Sequence, residues 1–450
     1  MDDDLLAQGR PGDRRGEARF MVLALLAGSI TGLVGPLFHK AIDRAVGWPD
    51  WLALRLDGWA LVCAAAGIAM AGAVIAVAIV RGFAPEAGGS GVQEIEGAME
   101  GLREVRWRRV LPVKFVAGVI AIGSGLVLGR EGPTIHIGAS ASAAVAETFR
   151  TSELERRGLL ASGAAAGLAC AFNAPLASVL FVIEETHKEF PYTFRTYLGV
   201  ILATIASTVV TEIMGGTRPD LPLAASAAPL VFLPAFLLLG ILIGVVGRVL
   251  NAAILHAVAF AAWSQRRLPY AYPAVVGAAV GALFILLPRA VTGGEDVIPR
   301  LVASNPGLTV LLGLGAIRFI TMVGSYSSGV PGGIFAPILS LAVCLGLAFG
   351  EGARLLAPAA GFDATAFAIV AMGALFTASV RAPIVGVALT LELTGSYALA
   401  LPLMVACFAA DLTAQWCGGR PIYTQLLERT LAQAGVQAPP RPRSEDTGLA

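Results

Sequence analysis

The chain has 450 residues, of which 56% are hydrophobic and only 14% charged, with a formal net charge of +1 and a mean hydropathy of +0.75. A water-soluble protein of this size needs far more charge on its surface, so the composition excludes a soluble enzyme and implies an all-α polytopic membrane protein. Acidic and basic residues interleave without a polybasic tract, which leaves no electrostatic case for a nucleic-acid partner.

Residues 1–19 are polar and include Asp2, Asp3, Asp4, Arg10, Arg14 and Arg15. They lack the short apolar core and small-residue cleavage site of a signal peptide. The arginines just before Phe20 predict a cytoplasmic N-terminus. Roughly 20 apolar residues cross a bilayer core. Phe20–Phe38, Trp59–Val80, Tyr197–Val210 and Pro229–Ala262 are read as segments that span alone. Ala164–Ala171, Leu176–Ile183, Ile334–Leu347 and Ile384–Leu393 are read as short pieces cut by Gly and Pro. Short broken helices are tolerated in an apolar chain only where protein buries them or they line a cavity. The 53 glycines predict close helix packing. The five cysteines, Cys63, Cys170, Cys344, Cys407 and Cys417, match neither a metal spacing nor a disulfide framework, and read as small hydrophobes.

An internal repeat organises the chain. Asn173-Ala174-Pro175 is followed, after eight residues, by Glu184-Glu185-Thr186; Arg381-Ala382-Pro383 is followed at the same spacing by Glu392-Leu393-Thr394. Matching interrupted helices in two halves mark a transporter built from repeats, with its site at the midplane between them. The expected organisation is a polar N-terminus at 1–19, a membrane repeat at 20–215, a joining loop at 216–227, a second repeat at 228–435 and a short polar tail at 436–450. The short polar tail, Pro439–Ala450, is expected to carry no regulatory nucleotide-binding domain. The repeat also sorts the acids. Glu184 has a counterpart in Glu392, which predicts a shared structural role. Glu185 faces Leu393 in the repeat, so it needs a reason of its own: a functional role, or else a rim salt bridge with Lys188 or His187.

Three Gly-rich breaks stand out: Gly88-Gly89-Ser90-Gly91-Val92-Gln93, Gly129-Arg130-Glu131-Gly132-Pro133, and Gly329-Val330-Pro331-Gly332-Gly333-Ile334-Phe335-Ala336-Pro337. Glu131 lies between two apolar stretches, Val116–Leu128 without an ionisable residue and Thr134–Ala146 with only small hydroxyls and His136. A charge at such depth costs roughly 2.5–3.5 kcal/mol on insertion scales. The glycines and Pro133 end one helix and begin another. A helix N-terminus is an anion site, because its free N–H groups and dipole favour negative charge. Glycine lets main-chain N–H groups approach a ligand closely. An acid there competes with an anion for the same donors.

These three strings, in this order, resemble the GSGIP, GREGP and GxFxP patterns of the CLC family of chloride channels and proton-coupled chloride transporters. Tyr423 in Gly419-Arg420-Pro421-Ile422-Tyr423 resembles the family's late anion-coordinating tyrosine. The resemblance runs from about residue 20 to about 435, and the motifs together are highly specific. It implies two inverted-topology repeats of tilted and broken helices, and a homodimer with one pore per subunit, of the prokaryotic type without C-terminal regulatory domains, in the inner membrane with both termini cytoplasmic. Ile183 and Leu399–Leu403 are candidate interface positions. Residue by residue, it implies that Ser90 and Tyr423 donate hydroxyls to a central chloride and that the amides of Ile334 and Phe335 complete the bed. Gly89, Gly91, Gly129, Gly132, Gly332 and Gly333 would shape its loops. Glu131 would be the gate and outer proton site, and Glu185 the inner proton site. Family channels usually lack an acid at the Glu185 position, so the resemblance favours a proton–chloride antiporter over a passive channel of the same fold. A fluoride exporter and an intramembrane enzyme with paired acids are the remaining rivals. Ser90 and Pro133 argue against the first, and no nucleophile or metal motif supports the second. No cofactor or metal is expected.

Two positions depart from the family pattern. Gln93 stands where the family usually has proline, and His136 stands where an amide side chain is more familiar. His136 reads as a neutral packing residue. Lys114 is expected either to bias the anion path or to pair with Glu96 or another acid, Arg130 to be a structural partner, and Arg318, Arg381 and Asp411 to form internal ion pairs.

Overall fold

The computed structural model describes residues 14–186, 193–215, 221–223, 225 and 228–436. Lys188, His187, the tail Pro439–Ala450, the acids at 2–4 and much of the joining loop lie outside these. The chain runs α1 (Arg14–Val46), α2 (Trp48–Ala53), α3 (Gly58–Phe83), α4 (Val92–Met99), α5 (Trp107–Gly123), α6 (Glu131–Thr148), α7 (Glu153–Phe172), α8 (Pro175–Thr186) and α9 (Phe194–Gly215). It continues through α10 (Leu233–Arg267), α11 (Ala271–Leu286), α12 (Val297–Ser304), α13 (Leu308–Ser327), α14 (Phe335–Leu356), α15 (Ala364–Val380), α16 (Pro383–Thr394), α17 (Ala400–Trp416) and α18 (Ile422–Gln433). Among the described residues, seven segments are long and apolar enough to cross a membrane.

Two helices are longer than the sequence reading. Ile334–Leu347 belongs to α14, which has 22 residues, because the helix continues through Glu351 and Arg354. Those two charges pair at 2.9 Å, so they do not stop it. Ala164–Ala171 belongs to the 20-residue α7, which starts at a capping box. There the Ser152 hydroxyl accepts from the Glu155 amide, and the Glu155 carboxylate accepts from the Ser152 amide. Of the apolar window of α14, 78% is buried inside the protein, against 33% for α3, so α14 is a central helix wrapped by others. Leu399 and Leu403 are also fully buried within the subunit, which removes them as interface positions; Leu401 is 46% exposed.

Small residues set the packing, and they do so twice. Gly28 and Gly32 of α1 lie against the backbones of Ala203 and Ser207 in α9; Gly240 and Gly244 of α10 lie against Ala406 and Ala410 in α17. A Cβ at any of the four would collide with main-chain atoms. Both halves thus close their first long helix onto a late one through glycines four residues apart.

The paired acids make the correspondence chemical. The Glu392 carboxylate, near the end of α16, accepts from the amides of Leu176 (3.0 Å) and Ala177 (2.7 Å) at the start of α8. The Glu184 carboxylate, near the end of α8, accepts from the amides of Ile384 (3.3 Å) and Val385 (2.9 Å) at the start of α16. Both helices open with proline, which fits N1 because that position needs no N–H, and each is capped by the other's glutamate. The structural role read for Glu184 from its repeat is therefore a reciprocal helix cap. Glu392→Ala removes two charge-assisted bonds and should lower stability by about 1–3 kcal/mol, read as a fall in thermal midpoint in detergent, with Glu184→Ala costing a similar amount. A Glu392→Ala protein as stable as the unmodified one would contradict the capping role.

Candidate anion site and its charged surroundings

The three Gly-rich breaks meet at one place, and the third is the hub. Gly89 N donates to Val330 O (3.0 Å) and Gly332 N to Gly89 O (3.1 Å), which ties the first loop to the third. Gly129 N donates to Gly333 O (2.8 Å) and Gly333 N to Gly129 O (2.7 Å), which ties the second loop to the same strand of chain. The approach is close because side chains are missing. Gly132 abuts Ser90, where any Cβ would strike the hydroxyl and the Ser90 backbone. Gly91 adopts φ +92° and lies under the His136 ring, so both its conformation and its space demand glycine.

Four helices begin here: α4 after Gly91, α6 after Arg130, α14 after Ile334 and α18 after Pro421. None has a side-chain cap at its N-cap residue. The first amides of each helix have no partner within that helix, and the aligned peptide dipoles add positive potential. Buried polar atoms normally find a partner. Ser90 Oγ, Tyr423 Oη and Glu131 Oε1 are buried side-chain oxygens without one. Phe335 locks the bed from one side. Its ring stacks on Tyr423 with centroids 6.0 Å apart, and it packs against Phe376 (5.0 Å), Phe181 (5.6 Å) and Phe172 (6.1 Å). Glu131, Ser90, Tyr423, Ile334 and Phe335 are each fully buried.

Glu131 Oε2 accepts from the Ala336 amide at 3.4 Å, so the carboxylate lies on the first turn of α14. Sequence reading named the amides of Ile334 and Phe335 and missed Ala336. The signal was present, since Ala336 is the second residue of a helix whose early amides are all free of intrahelical partners. Glu185 sits on α8, partly buried, and its carboxylate acts electrostatically on the Tyr423 hydroxyl.

The surrounding ions are held mostly by main chain. Lys114, fully buried, donates to Ala87 O (3.0 Å) and Gly89 O (2.8 Å), and so clamps the first loop rather than pairing with Glu96. Among the described residues Arg318 forms no ion pair, contrary to expectation. Its guanidinium donates to the carbonyls of Arg289, Val291, Thr292 and Gly293 and to Ser340 Oγ. Arg381 and Asp411 do pair, at 2.9 Å. Arg130 has Asp43 and Glu295 each at 3.6 Å. His136 is 1% exposed, and its Nδ1 has no hydrogen-bond partner.

Among the described residues, two cavities lie beside these loops. A vestibule of about 610 Å³ is lined by Arg81, Gly89, Gln93, Arg103 and Arg429 among others. A narrow pocket of about 10 Å³ is lined by Glu131, Arg130, Glu295 and apolar side chains. Asp43, near the end of α1, lies beside Arg130, and Arg81, near the end of α3, lines the vestibule. Glu131 lines the narrow pocket, and the two cavities share no lining residue.

A sequence profile of the voltage gated chloride channel family matches residues 72–415. The chain belongs to this family, the CLC family. The H(+)/Cl(-) exchange transporter ClcA of Salmonella arizonae is 41% identical over 441 residues, covering 95% of this chain and 92% of its own. A slow cyanobacterial Cl-/H+ antiporter has the same fold with a TM-score of 0.89 at 34% identity, over 93% of this chain and 99% of its own. A eukaryotic CLC transporter shares the fold with a TM-score of 0.78 at 23% identity, over 92% of this chain and 74% of its own. Removing one hydroxyl from the cradle, by Ser90→Ala or Tyr423→Phe, should weaken chloride binding roughly two- to tenfold, the worth of one hydrogen bond. Isothermal titration calorimetry on the detergent-solubilised protein measures this, and unchanged affinity in both variants would remove the hydroxyls from the bed.

Proposed function

We propose that this CLC protein exchanges chloride for protons across the membrane, with Glu131 as gate and outer proton site and Glu185 as inner proton site. The observation that carries this reading is the position of the Glu131 carboxylate. It is fully buried, rests on the first turn of α14, and leaves one oxygen without a partner. An ionised carboxylate in that place uses the donors an anion would use. A protonated one needs them less, and can yield the site. A chloride beside it is a like charge, which favours the protonated form. Proton and chloride then promote each other's binding, and the linkage is reciprocal in free energy. The close similarity to proteins named as proton–chloride exchangers supports the same reading.

Ser90, Tyr423 and the amides of Ile334, Phe335 and Ala336 would hold chloride, with Gly89, Gly91, Gly129, Gly132, Gly332 and Gly333 keeping the cradle open. Glu185 supplies an acid close to the bed but away from the narrow pocket, as a second proton path requires. The arginines at 14 and 15 that open α1, with Arg81, Arg103, Arg266 and Arg429 around the large vestibule, favour a cytoplasmic vestibule and an outer narrow pocket by the positive-inside rule. The assembly is a homodimer in the inner membrane with both termini cytoplasmic. The repeats span 20–215 and 228–435, joined at 216–227.

In vesicles loaded with chloride, the unmodified protein should drive protons against their gradient, followed with a pH electrode. Glu131→Gln should abolish proton movement and keep chloride flux. Glu185→Gln should likewise uncouple, and full proton pumping in that variant would remove Glu185 from the path.

A further inference from the structure

The narrow pocket above Glu131 holds a second acid that the exchange mechanism does not use. The lining is otherwise apolar, with Ala171, Phe172, Leu221, Ile298 and Leu339 among its walls. Its ionisable lining residues are Arg130, Glu131 and Glu295. A guanidinium does not release its proton in a protein. Glu295 is therefore the lining side chain that can take a proton from water and give it up again beside the gate. Its side chain is 31% exposed, whereas Glu131 is fully buried, so Glu295 stands between the gate and the solution.

The fold fixes Glu295 in this place by a dedicated device. The preceding loop is bent, with Thr292 at φ +64° and Gly294 at φ +107°. Left-handed backbone is strained for a β-branched residue such as threonine. Arg318 holds that bend with bonds of 2.8 Å to Arg289 O, 3.1 Å to Val291 O and 3.1 Å to Thr292 O, and it is itself anchored on Ser340 of α14, the helix that receives the Glu131 carboxylate. Gly293 leaves the room the Glu295 carboxylate uses; a Cβ there would come within 2.7 Å of Oε2. The charges that face Glu295 are Arg130, at 3.6 Å and shared with Asp43, together with Asp296, Arg318 and Glu131 itself; Arg44 lies beyond Asp43.

We propose that Glu295 is the outer proton relay of the exchanger, passing protons between the outer solution and the Glu131 carboxyl. The inference rests on the antiporter reading above. The transfer balances simply. A proton from outer water binds one Glu295 carboxylate oxygen. It leaves that oxygen for a water in the pocket, whose volume of about 10 Å³ suits a single molecule, and that water releases a proton to the unpartnered Oε1 of Glu131. The reverse sequence discharges the gate. Arg130, 3.6 Å from both Asp43 and Glu295, holds the relay carboxylate at the pocket.

The test uses the full chain in proteoliposomes with an imposed chloride gradient and a series of outer pH values. In Glu295→Gln, proton transport should fall on the order of tenfold, a typical loss for removal of a positioned proton-transfer group. The fall should steepen as outer pH rises, because free hydronium becomes scarce. Glu295→Asp should restore most of the rate. In a Glu131→Gln background, where no proton step remains, adding Glu295→Gln should leave the chloride leak as it is in Glu131→Gln alone. An unchanged proton rate and pH profile in Glu295→Gln, beside an unmodified protein that pumps, would overturn the relay alone. A further loss of chloride leak in the double variant would also overturn it, by showing that Glu295 acts on the anion path or the fold. An unmodified protein that moves no protons would instead overturn the antiporter reading, and the relay with it.

Discussion

Four helices start at the middle of this protein without capping side chains, and the rest of the architecture follows from keeping those starts together. Each start brings amides without partners in their own helix, and a positive dipole end, to the place where the glycine loops meet. Left empty, such a cluster would be costly to bury. It is stabilised by negative charge, and the negative charges that can reach it are a mobile anion and the Glu131 carboxylate. The Gly329–Pro337 loop makes the arrangement rigid, since it bonds to both of the other loops through main-chain groups and commits no side chain to doing so.

The same economy governs the other buried charges. Lys114 is held by two carbonyls, Arg318 by carbonyls and one serine, and Glu184 and Glu392 by pairs of amides at the starts of α16 and α8. Satisfying these ions with peptide dipoles spares the molecule many buried ion pairs, whose desolvation often outweighs their attraction. It also leaves Glu131 distinct. Its carboxylate has a single long bond to Ala336 and one oxygen with no partner. A group held that loosely can leave, which is the property a gate needs.

Much of this was legible in the sequence, for reasons that differ by residue. Glu131 shows itself because a carboxylate between two apolar runs demands compensation, and Glu184 and Glu392 because they repeat. The three glycine strings carry the family, and the profile match and the ClcA similarity bear that reading out. Helix lengths were less legible. α14 runs on through Glu351 because Arg354 neutralises it locally, and α7 extends back through charged residues that sit at its exposed start. Arg318 misled, since an isolated arginine in an apolar run suggests a carboxylate partner, whereas four carbonyls of a bent loop do the work. Glu295 and Asp43 carried no signal at all: they flank Arg130 only because chain segments far apart in sequence meet over the gate.

The central claim is that one buried carboxylate makes chloride and proton movement a single thermodynamic process. The most direct measurement is the reversal potential of the unmodified protein in a lipid bilayer, at fixed chloride gradient, as the pH gradient is varied. The account predicts that the potential moves with the pH gradient, in the direction that opposes proton flow. A potential that stays at the chloride equilibrium value for every pH gradient would contradict it and leave a passive chloride pathway.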